Sequence, residues 1–147
     1  MEKSAYDKAL KLLTLREHSY KELETKLKER GFNKSEIENA LFKLVEENYL
    51  SDERFVRSFV SSRLRKNVEG KAMLLSRLNE KGVSREIAEP IINEAWENEE
   101  YLEPLYKKWN SIKEKSGEEK ATLKMRSKGF SSYDIREAIE RFNDGEK

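Results

Sequence analysis

The chain has 147 residues, of which 36% are apolar and 40% charged, with no cysteine, a single histidine and a formal charge of +1. No disulfide framework or thiolate metal site is available to it, and so charged a composition favours stacked small elements over one thick core. The longest uninterrupted apolar run, Ala72–Leu75, falls far short of the ~20 residues of a membrane span. Met1–Asp7 holds no apolar signal core, so a cytoplasmic protein without membrane contact is expected.

Nearly every segment carries helical period. The first helix is expected from about Ser4 to Arg16, with Ala5, Tyr6, Ala9, Leu10, Leu12 and Leu13 on its apolar side. Ser19-Tyr20-Lys21-Glu22 reads as a capping box, in which the Ser oxygen and the Glu carboxylate serve orphan N–H groups reciprocally. It opens a second helix with Leu23 and Leu27, ended by Gly31, since glycine takes the left-handed conformation without a Cβ clash. Asn33-Lys34-Ser35-Glu36 is a second capping box. It opens a third helix with Ile37, Ala40, Leu41, Leu44 and Val45 inward.

The pattern then recurs. Ser51 or Asp52 caps a fourth helix with Phe55, Val56, Phe59, Val60 and Leu64. After a turn over Asn67–Gly70, a fifth helix carries Leu74, Leu75 and Leu78 and ends at Gly82. Ser84 caps a sixth, with Ile87, Ala88, Ile91, Ile92 and Ala95 inward. Pro90 inside it predicts a kink or a late start. A seventh helix holds Tyr101, Leu102, Leu105, Tyr106, Trp109 and Ile112, with Pro104 near its start or bending it. Ser116-Gly117-Glu118-Glu119 caps an eighth, with Ala121 and Met125, ending at Gly129. Ser131 or Ser132 caps a ninth, with Ile135, Ala138, Ile139 and Phe142.

The stops set a period. Gly31, Gly82 and Gly129 lie 51 and 47 residues apart, and each is followed by Phe32, Val83 or Phe130. Four and eight residues before them stand Leu27 and Leu23, Leu78 and Leu74, and Met125 and Ala121. Ile37, Ile87 and Ile135 follow at near-equal offsets. The expected fold is therefore all-α: three tandem three-helix repeats, 1–50, 51–97 and a divergent 98–147, stacked into an elongated, curved array.

The near-neutral sum hides charge blocks. Arg54–Arg85 holds nine basic residues against Glu69 and Glu80, a net of +7, whereas Glu86–Glu103 holds seven acidic residues and no basic one. Such alternation suits oriented docking on a charged partner. On a helical wheel, Arg63 falls inside the apolar arc of Phe55, Val56, Phe59 and Val60, and Lys66 falls near its edge. A charge facing a core must pair, snorkel or reach a partner. Arg57, Arg65, Lys66 and Lys71 read either as solvated surface or as a polyanion or acidic-protein contact.

No catalytic constellation stands out, and neither a cofactor nor a metal is expected. His18, just before the Ser19 cap, reads as a helix-entry residue bonded locally. The glycines are dispersed and form no phosphate-cradling loop. The carboxylates interleave with Lys and Arg at helical spacings, as solvated faces do. Trp109 fits core packing or, alternatively, a surface anchor.

Several segments resemble a known family. Ala9-Leu10-Lys11-Leu12-Leu13, Arg16-Glu17-His18-Ser19, Glu22 to Leu27 and Arg30-Gly31-Phe32 are similar to the first repeat of RecX proteins. Tyr49-Leu50-Ser51-Asp52-Glu53-Arg54-Phe55-Val56, with Phe59-Val60 and Arg63, resembles their most recognisable segment. Gly70-Lys71 through Leu78 and Lys81-Gly82-Val83 resembles the unit after it. Ser51 stands where the family usually has a second Asp, and the third repeat keeps little beyond Gly129-Phe130 and Ile135.

The resemblance implies a non-enzymatic, monomeric regulator of the RecA recombinase. It would lie in the groove of the RecA–single-stranded-DNA filament and usually inhibit ATP hydrolysis, strand exchange and coprotease activity. Arg57, Arg63, Arg65, Lys66 and Lys71 are the candidate contacts to RecA or DNA. Tyr49, Asp52, Phe55, Phe59, Gly31, Gly82 and Gly129 are the candidate structural motif. The rival readings are an autonomous DNA-binding helical module and a helical scaffold unrelated to RecA.

Overall fold

Local caps fix where the helices begin. Ser4, Ser19 and Asn33 stand in extended backbone, and the side chain of each accepts the N–H three residues on. Ser19 and Asn33 do so in complete capping boxes with Glu22 and Glu36. A computed structural model describes residues 4–143. Among the described residues it contains nine helices and no strand: α1 (Ala5–Leu15), α2 (Tyr20–Glu29), α3 (Lys34–Glu46), α4 (Asp52–Arg65), α5 (Lys71–Glu80), α6 (Arg85–Glu97), α7 (Leu102–Ser116), α8 (Glu118–Ser127) and α9 (Ser132–Asn143).

The chain divides into two compact units, Met1–Ser58 with Leu78–Ala88, and Phe59–Arg77 with Glu89–Lys147. In the first unit α1 and α2 both pack on α3. Ala5, Ala9, Leu23, Leu27, Ile37, Ala40, Leu41, Leu44 and Leu50 form its core, and each fully buried Leu contributes about 1.5–3 kcal/mol relative to exposure. In the second unit α7 packs against α8 and α9. Trp96 stacks on Tyr101, with ring centroids 4.6 Å apart and planes 7° from parallel. Trp109 is buried, its indole N–H donating to Thr122 Oγ1 at 3.1 Å, which makes it core and not a surface anchor.

Four sequence expectations are corrected. Val45 and Ile87 share the periodicity of their helices' inner faces but are 47% and 36% exposed: periodicity places a residue on a face without fixing how wide the buried arc is. Ser116 caps nothing: α7 runs through it, and Gly117, at φ 92°, ends α7 and begins α8 with no side-chain cap bond. A residue held helical by the preceding helix cannot take the extended N-cap conformation. Of the kink or late start expected from Pro90, the late start does not occur, since α6 begins at Arg85. Pro90 and Glu86 are both exposed, so solvent can serve the carbonyl that loses its partner.

Three of the helix-stopping glycines share a backbone conformation but not a neighbourhood. Gly31, Gly82 and Gly129 all have positive φ, at 88°, 79° and 95°. A Cβ on Gly82 would overlap the root of the Lys21 side chain, and one on Gly129 would lie 2.6 Å from Met73 N. Nothing lies within 4 Å of the corresponding point on Gly31. Gly70, without a positive φ, is the tightest: its Cβ would overlap the backbone carbonyl of Gly129.

Candidate functional site

The stretch Tyr49–Lys71 begins in the first unit. Tyr49 is 52% exposed, and its backbone N–H donates to Leu44 O at 2.9 Å. Ser51 Oγ accepts the Arg54 N–H at 3.1 Å and caps α4, as a short polar side chain does at that position. This frees Asp52 for a second helix: its Oδ1 accepts the Tyr20 N–H at 2.8 Å, serving an orphan donor at the start of α2. Arg54 reaches Glu17 Oε2 at 2.9 Å and Asn48 Oδ1 at 3.1 Å. Arg57 is exposed, 3.4 Å from Glu53 one turn back.

Asp52 thereby joins a polar cluster around the start of α2. Ser19 Oγ accepts the Glu22 N–H and donates to Lys81 O at 2.8 Å. Glu22 accepts from Ser19 N–H at 3.0 Å and from Arg16 Nη2 at 3.1 Å, with Lys81 Nζ 3.9 Å away. Burial opposes ionisation of Glu22, but the Arg16 and Ser19 hydrogen bonds and the charges of Arg16 and Lys81 outweigh it and hold the carboxyl below its usual range. His18 is 1% exposed. Its Nδ1–H donates to Arg16 O at 3.0 Å and its Nε2 accepts from Lys26 Nζ at 2.9 Å. Burial, with the Arg16 and Lys26 charges, keeps the imidazole below its ordinary pKa.

The rest of the stretch belongs to the second unit. Phe59 is half-buried while Val60 and Leu64 are buried. The Arg63 guanidinium lies over the Phe59 ring at 5.1 Å, and its Nη1 is 3.7 Å from Glu69 Oε1. Arg65 is exposed, with Nη1 3.4 Å from Ser61 Oγ, and Lys66 is exposed beside it. Arg65 also lines a cleft of about 870 Å³ with Leu64, Leu102, Lys107, Arg141 and Phe142. Asn67 turns the chain at φ 52°, and Val68, Glu69 and Gly70 are buried. Lys71 starts α5 with its ammonium 5.9 Å from the Trp96 ring centroid. Of the five candidate cations, the structure gathers Arg63, Arg65, Lys66 and Lys71 in the second unit, and Arg57 belongs to the first.

Sequence reasoning missed the strongest contact of the stretch. Glu69 is 4% exposed and receives Arg77 side-on, Nε lying 2.7 and 2.8 Å from its two oxygens and Nη2 2.6 Å from Oε2. The available signal was Glu69 itself, a carboxylate nearly alone in a +7 block. The period of α5 says nothing of a partner across the preceding turn.

Among the described residues no group of three His, Cys, Asp or Glu is placed to hold a metal ion, and no helix is long and apolar enough to cross a membrane.

Comparison with known proteins adds the lineage. Residues 5–44 match the family model described as RecX, first three-helix domain, and residues 51–90 match RecX, second three-helix domain. A protein of Chlorobium phaeobacteroides named Regulatory protein RecX is 34% identical over 142 residues, 95% of this chain and 94% of the relative. One of the same name from Chlorobaculum tepidum is 33% identical over 138 residues, 92% of this chain and 86% of the relative. The crystal structure of RecX from Lactobacillus salivarius shares the fold with a TM-score of 0.82 at 20% identity, covering 95% of this chain and 94% of that one. Two successive domain matches and near full-length relatives above 30% identity establish that the chain belongs to the RecX family.

Proposed function

We propose that this chain is a non-enzymatic, cytoplasmic regulator that binds, as a monomer, in the groove of the RecA–single-stranded-DNA filament and inhibits ATP hydrolysis, strand exchange and coprotease activity. The observation that carries the reading is the RecX match across two successive three-helix domains, with relatives named regulatory proteins along nearly the whole chain. Within the second unit, Phe59–Arg77 carries five basic residues against Glu69 alone, a balance that favours phosphate and acidic protein as partners. The organisation proposed is three repeats, 1–50, 51–97 and 98–147. The proposed contacts are Arg57, Arg63, Arg65, Lys66 and Lys71.

Titrating the protein into preformed RecA–single-stranded-DNA filaments while following ATP turnover tests this. Wild-type protein should lower turnover, and the variant with Arg57, Arg65, Lys66 and Lys71 all changed to Glu should not. Inhibition undiminished in that variant would remove those four contacts. An unchanged turnover with wild-type protein, alongside binding to bare single-stranded DNA, would favour the autonomous DNA-binding reading instead.

A further inference from the structure

We propose that the cleft beside Arg65 is a docking groove for an extended protein segment of mixed charge, one that carries a basic and an acidic side chain about four residues apart with an apolar residue between them. The proposal rests on the reading that the partner is a RecA filament, and it names the kind of segment that partner would offer. Of the residues lining the groove, Arg65 alone was a candidate contact in the sequence.

The groove lies wholly in the second unit. It is lined from the end of α4 and the turn after it, from the start and middle of α7, and from the end of α9. Leu64, Val68 and Leu102 are buried there, and Pro104 and Phe142, half-buried, leave apolar surface open. A second cleft of about 470 Å³ shares Glu103, Lys107, Ser111 and Phe142 with the first and continues to Asn110 and Glu114. A compact ligand is enclosed by roughly 300–1,000 Å³. Two adjoining clefts of that order suit a length of chain better than a single small molecule.

The rim has two signs in order. Along the chain it runs from carboxylates, Glu99, Glu100 and Glu103, to ammonium groups, Lys107 and Lys108. Glu99 takes Arg141 at 2.6 Å and Glu103 takes Lys107 at 2.9 Å. Glu100 and Lys108 are exposed, and among the described residues neither side chain has an ion-pair partner. These two opposite charges stand about 12 Å apart at the 1.5 Å rise of a helix, a distance that an extended peptide covers in about four residues. Alternate side chains of an extended segment share one side, so its ends can meet Glu100 and Lys108 while its middle residue meets Pro104 and Phe142. Arg65 adds a cation from the end of α4, which biases the groove toward segments no more basic than acidic. A phosphodiester chain is negative at every unit and would meet the three carboxylates of the rim.

The test titrates full-length, isotope-labelled protein with the end-blocked peptides KALAE, KALAK and EALAE and with oligodeoxythymidylate, following amide chemical shifts, with RecA-filament ATP turnover in parallel. KALAE should bind about fivefold more tightly than either like-charged peptide and should shift the amides of Lys108, Ser111 and Phe142. Glu100→Lys and Lys108→Glu should each weaken KALAE about fivefold, although the first makes the protein more basic and the second more acidic. Ser111→Trp fills the groove from an exposed position common to both clefts. It should abolish KALAE binding with an unchanged melting temperature, and it should relieve the inhibition of RecA turnover.

Equal binding of the three peptides, or shifts confined to other surfaces, overturns the proposal. So does tighter KALAE binding by Glu100→Lys, which makes the cleft a site for anions alone. Oligodeoxythymidylate moving the same amides more strongly than KALAE also overturns it and assigns the cleft to nucleic acid. Full RecA inhibition by Ser111→Trp with KALAE binding lost overturns the assignment of the groove to the filament. If the peptide pattern appears as expected but wild-type protein leaves RecA turnover unchanged, the groove stands and the filament reading fails.

Discussion

Two junctions in this protein place the start of one repeat's middle helix against the end of the next repeat's, and they are built from different materials. In the first unit, the start of α2 meets the end of α5 through side chains. Ser19 Oγ donates to Lys81 O, Glu22 faces Lys81 Nζ, and Asp52 serves Tyr20. In the second unit, the start of α5 meets the end of α8 through backbone. Gly70 N–H donates to Lys128 O, and Gly70 and Gly129 approach too closely for any Cβ. The same relation is reached by a cluster of side-chain hydrogen bonds in one case and by a backbone hydrogen bond and close backbone packing in the other. The first should tolerate added atoms better and lost polar groups worse; the second should do the reverse.

The largest expected effect is Gly70→Ala, whose methyl would meet backbone that cannot swing aside. A destabilisation of about 3 kcal/mol is expected, read by chemical denaturation. Gly82→Ala should cost about 2 kcal/mol, since it combines positive φ with a clash against a side chain that can partly yield. If Gly82→Ala proves costlier than Gly70→Ala, the second junction is not the tighter one. Ser19→Ala removes a cap and the bond to Lys81, for about 1.5 kcal/mol. Gly31→Ala meets no neighbour and should cost only the left-handed backbone, about 1 kcal/mol. A Gly31→Ala cost matching Gly82→Ala would show that contact with Lys21 contributes nothing.

The smallest effect is a pH dependence confined to the polar junction. His18 is held below its ordinary pKa, so the unfolded chain binds that proton more readily. Stability should be full above pH ~6.5 and decline as pH falls below it, with a slope of up to one proton. Below pH ~4.3 Glu22 should add a second decline, lost as pH falls through its depressed pKa. His18→Gln should abolish the first decline and leave the second; a first decline that survives would place its origin elsewhere.

What the sequence made legible was what is local. The boxes at Ser19 and Asn33 and the stops at Gly31, Gly82 and Gly129 are decided within a turn of chain, and all appear in the structure. Periodicity groups residues onto a face but does not say how far a neighbour covers it, which is why Val45 and Ile87 follow the inner period of their helices and are still exposed. Phe42, 66% exposed on the same helix as Val45, shows how open that edge is. The candidate site was half legible. A helical wheel flagged Arg63 as needing a partner, and Glu69 is within reach. Arg77 carried no such flag, because its pairing depends on how the turn after α4 returns to α5. Ser51 and Asp52 are equal candidates for the cap of α4 in the sequence, and only tertiary structure shows that Ser51 caps it while Asp52 serves α2.

That displaced cap has a consequence for how the protein is made. As the chain leaves the ribosome, residues 20–29 emerge before the groups that complete their helix's start. The Tyr20 amide waits for Asp52, and the Ser19 hydroxyl waits longer for the Lys81 carbonyl. Although the Ser19–Glu22 box forms from residues already synthesised, a nascent chain stopped after residue 50 holds the first core without its last two polar ties. Translation order is thereby built into the assembly order of the first unit.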